Sequence, residues 1–129
     1  MHALRCHFLS FLAVVELLSF DARMKLLGFD HVCRWIEKCP VARRLPGPAV
    51  SLRIVNAVNR ACVYYPKKAL CLARSAVITR LLRQAGVSAK LNIGAQRMPF
   101  LMHAWVEVDR IVIDCDPNEA RRFGVLWTL

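Results

Sequence analysis

The stretch KKALCLARSAVITRLLRQAG, residues 67–86, puts Cys71 at the start of a segment with helical spacing, just after Lys67 and Lys68. The unpaired N–H groups and macrodipole of a helix N-terminus favour thiolate, the form that attacks a carbonyl carbon. The two lysines would add to that field. Cysteines at such positions more often only pack, so Cys71 alone carries little. His103 lies 32 residues further on (103 − 71), in the strand-like MHAWVEV. A ring in a half-buried strand needs a partner. His2, His7 and His31 belong to apolar front segments instead. RIVIDCDP then supplies Asp114 and Asp116. If Asp109–Arg110 is a two-residue turn, 108 pairs with 111, 105 with 114 and 103 with 116. Residues 103, 105, 107, 112, 114 and 116 then share one face, with both aspartates on the histidine's side and Cys115 on the other. Thiol, imidazole and carboxylate in these roles are nucleophile, base and orienter for acyl transfer. Of the neighbours, Arg74 has a substrate, an aspartate or a solvated face to meet, Trp105 packs, and Glu107 suits an ion pair.

The elements that must hold these groups follow from period and punctuation. KLLGFDHVCRWIEKCP has Leu26, Leu27, Val32, Trp35 and Ile36 at three- and four-residue steps, and with HFLSFLAVVELLSF before it reads as two helices packed on the domain. The earlier run has the look of a signal-peptide core. Glu16 interrupts it, no small-residue cleavage site follows, and its uncharged part is too short to span a bilayer. Attachment to a membrane surface is the lesser reading. Pro40, Pro46, Gly47 and Pro48 form the clearest break. Residues 50–64 read as a helix stopped by Pro66, and the Cys71 helix stops at Gly86. Alternation then takes over in SAKLNIGAQ and LMHAWVEVDRIVIDCD, followed by the short apolar tail RRFGVLWTL. Helices first and strands second define an α+β chain. We read one domain over 1–129, with a helical part at 1–48 and a catalytic core at 49–129.

Composition narrows the functional classes. The chain is 57% hydrophobic, which argues against disorder and for apolar surface that needs covering. Its +10 charge is scattered through amphipathic segments without interleaved aromatics, which argues against nucleic acid. Cys6, Cys33, Cys39, Cys62, Cys71 and Cys115 contain no CxxC pair, and no second pair sits at metal-ligand spacing, so neither metal nor cofactor is expected. Apart from Cys71 they read as small buried hydrophobes of a reducing compartment, the cytoplasm.

The order helix cysteine, strand histidine, strand aspartate is that of the transglutaminase-like fold. CLARSAVITRLLRQAGVSAKLNIGAQRMPFLMHAWVEVDRIVIDCDP resembles the leader peptidases of lasso-peptide biosynthesis, the transglutaminase-like B proteins, over residues 63–117. The shared features are C-L-x-R opening a helix, L-L-R-x-x-G closing it, a strand through I-G, and H-A-W-V-E. The turn differs: Arg110 follows Asp109, where the family usually has glycine. The resemblance implies a cysteine peptidase that frees the core of a ribosomal precursor peptide. Cys71 would be its nucleophile, His103 its general acid/base, and Asp114, in preference to Asp116, its orienter. It also implies a separate winged-helix leader-binding protein (a recognition element) and an asparagine-synthetase-like cyclase as partners. The rivals are a transglutaminase-like acyltransferase and a non-catalytic basic scaffold that binds a peptide or membrane.

Overall fold

The computed structural model describes residues 2–47, 49–65 and 71–129. The expected stop at Pro66 and the Lys67–Lys68 pair lie outside the described residues. The two front helices are α1 (His2–Leu27) and α2 (Phe29–Glu37), and they meet at Gly28. Its φ of 84° is open to glycine and costly for other residues, so the helical run must break there. Helix α1 is longer than the uncharged run suggested. By length and composition alone it could cross a membrane. Yet Ala13, Leu17 and Phe20 pack into the core, Glu16 pairs with Arg80, and Asp21 accepts from the Tyr65 hydroxyl. Burial and that aspartate push Tyr65 up to about 12.

Helix α3 (Val50–Tyr64) covers the expected span, and α4 (Cys71–Gln84) is the axis of the domain. Helix α4 touches α1, α2 and α3 as well as the sheet, so it is buried on several sides. Its basic residues Arg80 and Arg83 turn inward. Arg83 is buried and donates to the carbonyls of Ile36 (2.7 Å), Ala89 (2.9 Å) and Leu129 (3.0 Å). Arg80 bonds Glu16 at 2.9 Å and lies over the Trp35 ring at 3.9 Å. A guanidinium serves several carbonyls from one planar fork, which makes arginine tolerable in such an interior.

The sheet is antiparallel in the order β3-β2-β1-β4, formed by β1 (Ala89–Gln96), β2 (Leu101–Val108), β3 (Ile111–Val112) and β4 (Gly124–Thr128). A short helix α5 (Pro117–Ala120) lies between β3 and β4. Leu91, Ile93, Ala104 and Val106 join the core beneath α4. The apolar tail forms edge strand β4, which its sequence did not announce. The two-residue turn holds, with Val108 opposite Ile111 and Glu107 opposite Val112. Asp109 and Arg110 both have positive φ, 52° and 65°, the conformation that matches strand twist.

Candidate functional site

Cys71 is the first residue of α4 and half-buried. It borders a cavity of about 380 Å³ together with Leu72, Phe29, Ile93, Met102, His103, Ala104 and Trp127. Helix start and strand β2 therefore bring Cys71 and His103 to the border of one recess, walled otherwise by apolar residues. Among the described residues no hydrogen bond joins Cys71 Sγ to the ring.

His103 pairs with Gly94 across the sheet. Strand alternation gives Ala104 and Val106 to the core and His103, Trp105 and Glu107 to the other side of β2. The His103 ring stacks on Trp105, with centroids 5.8 Å apart, and meets Phe123 at 5.1 Å. Its Nε2 is buried and, among the described residues, has no hydrogen-bond partner. Trp105 is held by its Nε1 donating to Glu107 Oε1 at 3.1 Å, so Glu107 serves as an acceptor rather than an ion-pair member. Gly94 makes room for this stack: a Cβ there would lie 2.9 Å from the Trp105 ring and 2.8 Å from the Gly124 carbonyl.

Asp114 is buried, and its carboxylate bonds to groups other than the histidine. Ser75 Oγ donates to its Oδ2 at 2.6 Å, the Val106 N–H donates to its Oδ1 at 2.9 Å, and Arg74 Nη2 lies 3.8 Å from Oδ2. Arg74 also donates to the Asp114 carbonyl at 2.7 Å, the aspartate contact among its expected roles. The parity carried onward from the turn stops applying here. The ladder ends after the Ile113 N–H reaches Val106, and Asp114 then replaces a strand carbonyl as acceptor for the Val106 N–H while turning toward α4. Asp116 does not pair with His103 either. It is exposed and caps α5, accepting from the Asn118 N–H at 2.8 Å. Among the described residues no hydrogen bond links the His103 ring to either aspartate.

Ser75 and Phe123 were missed from the sequence. Ser75 had one signal, a hydroxyl one turn after Cys71 within an apolar face. Phe123 reaches His103 only through the return of the tail. All six cysteines are free thiols. Burial pushes Cys33 and Cys62 upward, and burial with Asp114 and Glu119 pushes Cys115 up to about 11. Of the five cysteines expected as small buried hydrophobes, only Cys39 is buried; Cys33, Cys62 and Cys115 are half-buried, and Cys6 is exposed because it lies on the outer side of α1.

Helices leading into a small antiparallel sheet, with a cysteine opening the central helix and a histidine on the second strand, define a class. The family model of the transglutaminase-like superfamily matches residues 14–128, and the chain belongs to that superfamily. Among curated proteins it is similar to the Microcin J25-processing protein McjB of Escherichia coli, 37% identical over 59 residues. That match covers 46% of this chain and 28% of the relative, so the chain spans well under two thirds of its length. No solved structure matches.

Proposed function

We propose that this chain is a cysteine peptidase that removes the leader from a ribosomally made lasso-peptide precursor. The observation that carries this reading is the shared cavity of Cys71, at the start of α4, and His103 on β2. Membership of the transglutaminase-like superfamily and similarity to a microcin-processing protein support it.

The Cys71 thiolate attacks the scissile carbonyl, and the Cys71 N–H is the first donor to the oxyanion. As the tetrahedral intermediate collapses, His103 gives its proton to the leaving amine. His103 then takes a proton from the water that hydrolyses the thioester. Asp114 acts as a positioning residue: through Ser75 and Val106 it fixes the strand that carries His103 against the helix that carries Cys71. The apolar cavity excludes bulk water while the peptide enters. A winged-helix leader-binding protein presents the precursor, and an asparagine-synthetase-like cyclase uses the freed amine. Free thiols fit work in the cytoplasm.

The test is cleavage of the precursor by the wild-type chain and by Cys71→Ala, followed by mass spectrometry. Cleavage lost with unchanged circular dichroism supports the reading, and retained cleavage overturns it. A product conjugated to an added amine, in place of a hydrolysed one, would assign the chain to the acyltransferases.

A further inference from the structure

Helix α1 is apolar on two opposite sides. Ala13, Leu17 and Phe20 face the core. Leu4, Phe8, Phe11, Val15 and Leu18 lie 42–79% exposed. Their spacing of four, three, four and three residues keeps them within about 40° of one line at 100° per residue. The line runs about 21 Å along the helix. Such a heptad seam is what one helix offers another.

Beside it lies a groove of about 870 Å³ between α1 and α3. Leu9, Leu12, Ile54 and Leu81 line it, and Leu4 and Phe8 belong to both seam and groove. Arg5, Arg44, Arg53 and Arg60 also line it, and among the described residues no Asp or Glu does. Among the described residues none of these four arginines is ion-paired.

We propose that this seam and groove dock an acidic amphipathic helix of a partner protein. Apolar residues of that helix cover Leu4, Phe8 and Phe11, and its carboxylates meet Arg5, Arg53 and Arg60. A second copy of this chain fits poorly, because it would bring the same arginines to the contact. The two acids of α1 are already engaged, Glu16 by Arg80 and Asp21 by Tyr65. A bilayer fits poorly because the arginines surround a recess rather than a flat face. The proposal stands independently of the peptidase reading.

The experiment measures binding of the full chain to a labelled 21-residue helical peptide with leucine in its seam positions and glutamate on the flanks. The same peptide with lysine flanks is the comparison. The glutamate peptide should bind about tenfold or more tightly than the lysine peptide. Phe8→Ser with Phe11→Ser, both at exposed sites, should weaken binding about tenfold with unchanged circular dichroism. Arg53→Glu with Arg60→Glu should reverse the charge preference. Equal binding of the two peptides, no binding of either, or indifference to the phenylalanine changes would overturn the proposal. So would a wild-type dimer that Phe8→Ser dissociates, or binding to phosphatidylglycerol vesicles that the glutamate peptide does not displace.

Discussion

Ser75 donates its hydroxyl to Asp114 Oδ2 at 2.6 Å, pinning the chain after β3 to α4 one turn beyond Cys71. The same carboxylate accepts the Val106 N–H from β2. One buried group thus ties together the helix of the candidate nucleophile and the strand of the candidate base.

Asp114→Asn removes an acceptor that two buried donors and Arg74 share, because an amide has one oxygen for both. We expect a loss of about 1–3 kcal/mol in urea unfolding. Ser75→Ala should cost less, since the Val106 bond survives. If Asp114→Asn kept full stability and lost turnover, the carboxylate would be acting on the ring directly.

Gly94→Ala places a methyl against the Trp105 ring and the Gly124 carbonyl. Either the ring or β4 must move, at about 1–3 kcal/mol. Because His103 stacks on Trp105, kcat should fall further than the stability loss explains under conditions where the variant remains folded. Normal turnover would detach the stack from catalysis.

Arg110 holds a φ of 65° in the turn between β2 and β3. Arg110→Gly relieves that conformation without touching the core. Thermal unfolding should show a gain of about 0.5–1 kcal/mol. A loss would mean that the arginine side chain holds the turn.

Cys115 carries a thiol pushed up to about 11, by burial first and then by Asp114 and Glu119. It is neutral at pH 7.5 and should resist iodoacetamide there under native conditions, with alkylation appearing as the pH approaches 11. The unfolded chain ionises this thiol near 9.0, before the folded one does. Above that pH the unfolded state binds fewer protons, so stability falls between about pH 9 and 11. Cys115→Ala should flatten part of the fall. Rapid labelling of Cys115 at pH 7.5 would contradict this.

Arg83 supplies donors to carbonyls from three segments, at Ile36, Ala89 and Leu129. Arg83→Met leaves these acceptors without their donor and should cost about 2–5 kcal/mol in chemical denaturation. A loss under 1 kcal/mol would mean that water replaces the guanidinium easily.

The sequence by itself determined what is local. Period and punctuation placed α3, α4, β1 and β2, because apolar spacing and a helix stop act within a few residues. Adjacent alternating runs allowed the two-residue turn without fixing its length, and Cys71 and His103 stood out by residue type and element. Tertiary structure alone decided where the arginines of α4 point, because a guanidinium can be solvated or buried according to which carbonyls lie nearby. It also turned the tail into β4, since an edge strand needs β1 as its template. The fate of Asp114 was settled the same way. Strand parity holds only while the ladder lasts, and this one ends at Ile113, where a buried N–H and the Ser75 hydroxyl take up the carboxylate.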